Sequence, residues 1–166
     1  MIGGARHIPL VNFSNNEIVR AISLIGILVT AFIALCTGLI IYGGWRSTVP
    51  TIFVSLNDYG IGYMSLRLRN FVDGLGIVPP DWMVYSLPQG LWVFSYTLII
   101  GIIWNGAPKL LQWIWMSTAI ILAIGWETLQ YLNVLSGSFC WMDLSLGLAG
   151  FGLAMLLINK ILFHEK

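Results

Sequence analysis

The apolar positions of this chain fall into long unbroken runs rather than the half-polar stripes of a water-soluble helix. The first, Ala21 to Gly43, contains no Asp, Glu, Lys or Arg and is long enough to cross about 30 Å of hydrocarbon. Some twenty residues precede it and no A-x-A-like cleavage site follows, so it is read as a retained helix, not a signal peptide. Runs at about 89–105, 110–132 and 142–163 predict three further spans. Pro88 stands near the first turn of the second, where a missing N–H is harmless. Asn105-Gly106-Ala107-Pro108 reads as a tight turn. Asn133–Trp141, holding Ser136-Gly137-Ser138, reads as a short connection. The expectation is an all-α polytopic membrane protein, one transmembrane domain over 1–166, built as a bundle of about four helices.

Between the first two spans lies a long connection, Gly44–Pro88. In it Met64, Leu68, Phe71, Val72 and Leu75 fall on one helical face, and Ser65, Arg69 and Asp73 on another. The pattern predicts a short helix lying in the membrane interface. Pro79-Pro80 is expected to end it, because neither residue can donate the next helical hydrogen bond.

Composition makes lipid the natural solvent. The chain is 58% apolar and only 9% charged, where soluble domains carry about 25% charged residues. Eight Trp and six Tyr cluster near the ends of the runs, as in interfacial aromatic belts. A net charge of +1 gives no reason to expect nucleic acid. Cys36 and Cys140 share no metal-ligand spacing and His7 and His164 lie in the tails, so neither a metal site nor a cofactor is expected. With four spans, Arg6, Arg20, Lys109, Lys160 and Lys166 share one side of the membrane, and Arg46, Arg67 and Arg69 the other. That bias predicts both termini in the cytoplasm and the long connection outside.

Chemistry has few places to sit. Between Lys109 and Asp143 the only charged side chain is Glu127, with Gln130 three residues on and therefore on the same face. Eighteen residues past Lys109, Glu127 lies roughly 27 Å along the helix, near the outer edge of the hydrocarbon. It either faces the bundle interior as a functional carboxylate or touches headgroup water. Asp143 opens the fourth span on the same side, as a cap for the first-turn N–H groups, as a site residue, or as both. Gly150-x-x-x-Ala154 points to close helix packing. There is no Gly-x-Ser-x-Gly elbow, no Gly-rich phosphate loop and no intramembrane His, so no catalytic residue is assigned and an enzyme is not the expectation.

Glu127-x-x-Gln130, Gly137-x-Phe139-x-x-x-Asp143 and Gly150, with Ser86-Leu87-Pro88-Gln89-Gly90-Leu91-Trp92 before the second span, resemble the C-terminal core of VanZ-like membrane proteins. The resemblance covers roughly residues 80 to 160. Ser138, Cys140 and Gly147 stand where family members often carry Arg, an acidic residue and Asn, and the second span lacks a His. The resemblance implies a cell-envelope protein of the bacterial inner membrane. Its expected ligand is a polar or phosphorylated head group, such as a lipid-linked wall precursor, bound at an outer-face cluster. Glu127, Gln130 and Asp143 would hydrogen-bond sugar or peptide groups, while Arg67 and Arg69 supply positive charge for phosphate or pair with Asp73 or anionic lipid. The alternative is an accessory subunit whose Trp-rich spans pack on other membrane-protein subunits. A small transporter is a weaker third reading, because no internal repeat is present. Membrane lipid is the partner common to all of these.

Overall fold

The computed structural model describes residues 15–46, 61–135 and 137–162, and among these every regular element is helical. They are α1 (Asn15–Trp45), α2 (Ile61–Gly74), α3 (Asp81–Tyr85), α4 (Leu87–Ile103), α5 (Lys109–Tyr131) and α6 (Trp141–Leu162). Four stretches, Glu17–Trp45, Asp81–Ile103, Lys109–Tyr131 and Trp141–Ile161, are long and apolar enough to cross a membrane. The expected all-α bundle of four spans is therefore present. The tails 1–14 and 163–166, part of the long connection (47–60) and residue 136 lie outside the described residues.

The bounds differ from the expectation in ways that have local causes. At 31 residues, α1 is roughly 46 Å long, so it extends past the hydrocarbon at its ends. The fourth span starts one residue earlier than expected, at Trp141, and the second starts two earlier, at Leu87. The short helix α3, whose N-cap is Pro80, was not foreseen. Nor do the prolines end α2: it stops at Gly74, where Leu75 N–H bonds to Val72 O and Gly76 N–H to Asp73 O. Gly76 has φ +63°, a left-handed conformation that costs glycine little and closes a helix C-terminus.

The central helix is α4, which packs most extensively on α6 and next on α1, while α5 lies against α4 and α6. Its buried positions include Gly90, Ser95, Thr97 and Gly101, small residues that let neighbouring backbones approach. A Cβ on Gly150 would run into the carbonyl oxygen of Gly90, and one on Gly90 would lie 2.9 Å from Leu146 O. Ala154, on the same side of α6, is fully buried. With lipid outside, such close contact and interhelical hydrogen bonds hold helices together in place of a hydrophobic driving force. Ser95 Oγ donates to Ala31 O of α1 at 2.8 Å, and the Tyr96 and Thr118 hydroxyls join α4 to α5 at 3.0 Å. Ile27, Ala31, Leu98, Met116, Ala154 and Ile158 form the core.

Helix α2 docks on the end of α1. Leu68 and Val72 of its apolar face lie against Gly43 and Gly44, and Val72 is buried, whereas Phe71 and Leu75 remain exposed. Arg69 points to α1 and donates to Gly43 O at 3.2 Å and Arg46 O at 2.8 Å. The last turn of α1 holds no basic residue, so Arg69 brings the cation that its orphan carbonyls favour.

Candidate functional site

Antiparallel threading brings the start of α4, the end of α5 and the start of α6 to one end of the bundle. Glu127, in the next-to-last turn of α5, is 1% exposed, which decides between the two expectations for it: it faces the interior. Its Oε2 accepts the backbone N–H of Cys140 at 3.0 Å, and its Oε1 accepts Gln89 Nε2 at 3.5 Å. Cys140 immediately precedes α6, and its carbonyl takes the first helical hydrogen bond, from Leu144 N–H at 3.2 Å. Gln89 stands in the first turn of α4. The carboxyl group thus lies at the N-terminal ends of two helices, where their dipoles favour negative charge, and joins three helices through one side chain.

That arrangement explains the position of Asp143. It is the third residue of α6, from which an acidic side chain commonly reaches back to the N–H of the residue before the helix. Glu127 has taken that N–H. Among the described residues Asp143 makes no cap hydrogen bond, and its Oδ1 is buried without a partner.

Gln130 lies one turn beyond Glu127, and its Oε1 is likewise buried without a partner. Its amide packs under Gly137, where a Cβ would collide with Nε2. Gly137 has φ +132°, so both space and backbone conformation require glycine there. Asn133, at φ 57°, turns the chain out of α5, a conformation Asn tolerates better than most residues. Tyr131, Phe139 and Trp141 form an edge-to-face aromatic chain over this connection, with centroids 5.8 and 4.9 Å apart.

Glu127, Gln130 and Asp143 therefore share one end of the bundle but not one hydrogen-bond network. Of the two arginines, Arg69 is held on the carbonyls of α1 and Arg67 is exposed on α2. Three features were missed in the sequence. Gln89 stood in the Ser86–Trp92 stretch that carries the resemblance but was given no role as a partner of Glu127. The Cys140 N–H is a backbone group with no sequence signal. Arg46, at the end of α1, stacks over the rings of Tyr42, one turn before it, and Tyr85 of α3 at 4.7 and 5.5 Å, a cation–π pairing that ties the end of α1 to α3. Cys36 and Cys140 are free thiols. No group of His, Cys, Asp and Glu among the described residues is arranged to hold a metal ion.

No family model, curated protein or solved structure matches the chain.

Proposed function

We propose that the chain is a VanZ-like cell-envelope protein of the bacterial inner membrane, with both termini cytoplasmic. On this proposal it binds a polar or phosphorylated head group at the end of the bundle that carries Glu127. The observation that supports it most is the pair of buried acceptors, Gln130 Oε1 and Asp143 Oδ1, that no donor satisfies. A buried polar atom without a partner costs about 1–3 kcal/mol, and donors from a bound head group relieve that cost. Glu127 serves as the framework that fixes the helix ends, and Arg67, exposed on α2, supplies positive charge for a phosphate. The test is native mass spectrometry of the protein extracted in mild detergent. A retained prenyl-linked or phosphorylated lipid is expected, reduced severalfold in Asp143→Asn combined with Gln130→Leu. A lipid-free protein, or retention indifferent to both substitutions, would count against it.

Two observations favour the accessory-subunit alternative. Glu127 and Arg69 both end on their own chain, and α5 exposes Trp113, Trp115 and Trp126. A second polypeptide in constant ratio in the same spectrum would favour that alternative.

A further inference from the structure

Between α2 and α3 the chain turns through an apolar tip, Leu75-Gly76-Ile77-Val78. Ile77 is 56% exposed and Val78 92%, and Leu75 is exposed too. Phe71, one turn before Leu75, and Trp82, at the start of α3, are exposed as well. The tip is nonetheless well ordered. The N–H groups of Leu75 and Gly76 close α2, Pro79-Pro80 stiffens the exit, and Ile77 O accepts the Trp45 indole N–H at 3.0 Å. That last bond also fixes the height of the tip. With 31 residues, α1 is roughly 46 Å long, close to the 40–45 Å of a bilayer with its head groups. Trp45, its last residue, therefore stands at head-group level, where indoles concentrate, and the tip tied to it stands there too. Charge lies around the tip and not on it. Asp73 is two residues from both Phe71 and Leu75, hence on the opposite side of α2, and Asp81 and Arg67 are exposed to either side in the chain. Arg46 lies over Tyr42 and Tyr85, and Arg69 is on the carbonyls of α1.

We infer that residues 75–78 are a preformed apolar wedge inserted into the leaflet on the Glu127 side, with Phe71 and Trp82 beside it. Its partner is the apolar part of the lipid. An amphipathic segment at this level buries its apolar side about 5–10 Å toward the acyl chains, and a segment already ordered has less conformational freedom to lose on doing so. Two acidic side chains flank the wedge against the one exposed arginine, so anionic head groups are not what draws it in. The wedge differs from the α2 face expected in the interface, since Leu68 and Val72 of that face lie against α1. It does not rest on the function proposed for the Glu127 end.

Single nitroxide labels test this in the full-length protein, carrying Cys36→Ser and Cys140→Ser and reconstituted into phosphatidylcholine vesicles. Val78→Cys puts a label on the tip, at a side chain too exposed for the fold to depend on it. Asp73→Cys puts one on the far side of α2, also at an exposed position. Collisions with oxygen, which concentrates in lipid, are compared with collisions with a water-soluble nickel chelate. The oxygen-to-nickel ratio is expected to be severalfold higher at Val78→Cys than at Asp73→Cys, and unchanged when phosphatidylglycerol is mixed into the vesicles. Equal ratios at the two sites, or the higher one at Asp73→Cys, would overturn the inference. Protection of the Val78→Cys label from both reagents would also overturn it, because a protein partner would then cover the tip. A ratio that rises only with phosphatidylglycerol would do the same, by assigning the contact to Arg67.

Discussion

Glu127 shows how much a single side chain can organise when it is the only acidic residue in its span. Its two oxygens hold the start of α6 through Cys140 N–H and the start of α4 through Gln89. Replacing it with Gln keeps the shape and one acceptor for Cys140 N–H, and the Gln89 amide can turn to present its oxygen to the new NH₂ group. Replacing it with Leu leaves the Cys140 N–H buried without an acceptor. We therefore expect Glu127→Gln to melt close to wild type and Glu127→Leu to lose about 1–3 kcal/mol, read from the thermal unfolding of detergent-solubilised protein. Equal losses in the two variants would show that the hydrogen bonds do not set the stability. If the charge itself contacts a head group, Glu127→Gln keeps its melting temperature and loses the retained lipid. The residue was legible as a carboxylate inside a span. Its partners were not, because Gln89 lies 38 residues away and the Cys140 donor is main chain. Asp143 was expected to cap its own helix among other roles, and the competition from Glu127 for the same N–H could not be read from local spacing.

At the scale of elements, the seam between α4 and α6 carries the bundle. Helical spacing marked Gly150 and Ala154 as one small-residue face of the last span, but spacing names a face and not the helix it meets. The partner is Gly90, whose carbonyl occupies the space a Gly150 side chain would need. Gly152, two residues on, has nothing within 4 Å of its would-be Cβ. Gly150→Leu is therefore expected to part the helices and sharply reduce folded yield by size-exclusion chromatography, while Gly152→Leu leaves it near wild type. Similar yields for both would count against the seam. A second element-level contact is Arg69 on the carbonyls of α1. Arg69→Gln should cost about 1–2 kcal/mol of thermal stability, with Arg69→Lys recovering part of it. A variant as stable as wild type would mean that those carbonyls are equally well hydrated. The amphipathic pattern of α2 was readable, and Leu68 and Val72 do face α1. Its end was misplaced because the left-handed turn at Gly76 acts before the prolines are reached.

For the whole molecule, span number and class follow from run length and the scarcity of charge, because a backbone in lipid must satisfy its own hydrogen bonds. Orientation rests on the finer bias of five Lys and Arg residues against three. Two of the three arginines on the minority side have structural reasons to be there: Arg69 binds the end of α1, and Arg46 lies over Tyr42 and Tyr85. Their presence is thus compatible with a translocated connection, and the bias remains the basis for the proposal that both termini are cytoplasmic. The prediction can be read with single cysteines in a Cys36→Ser, Cys140→Ser background. The latter change leaves the hydrogen bond to Glu127 intact, since the backbone N–H makes it. Ser138 and Pro108 are exposed at opposite ends of the bundle. A membrane-impermeant maleimide should modify Ser138→Cys in intact cells and Pro108→Cys only after the cells are opened. The reverse pattern would put the Glu127 end in the cytoplasm. Its orphan acceptors would then face cytoplasmic ligands, and lipid-linked precursors outside the cell would be out of reach.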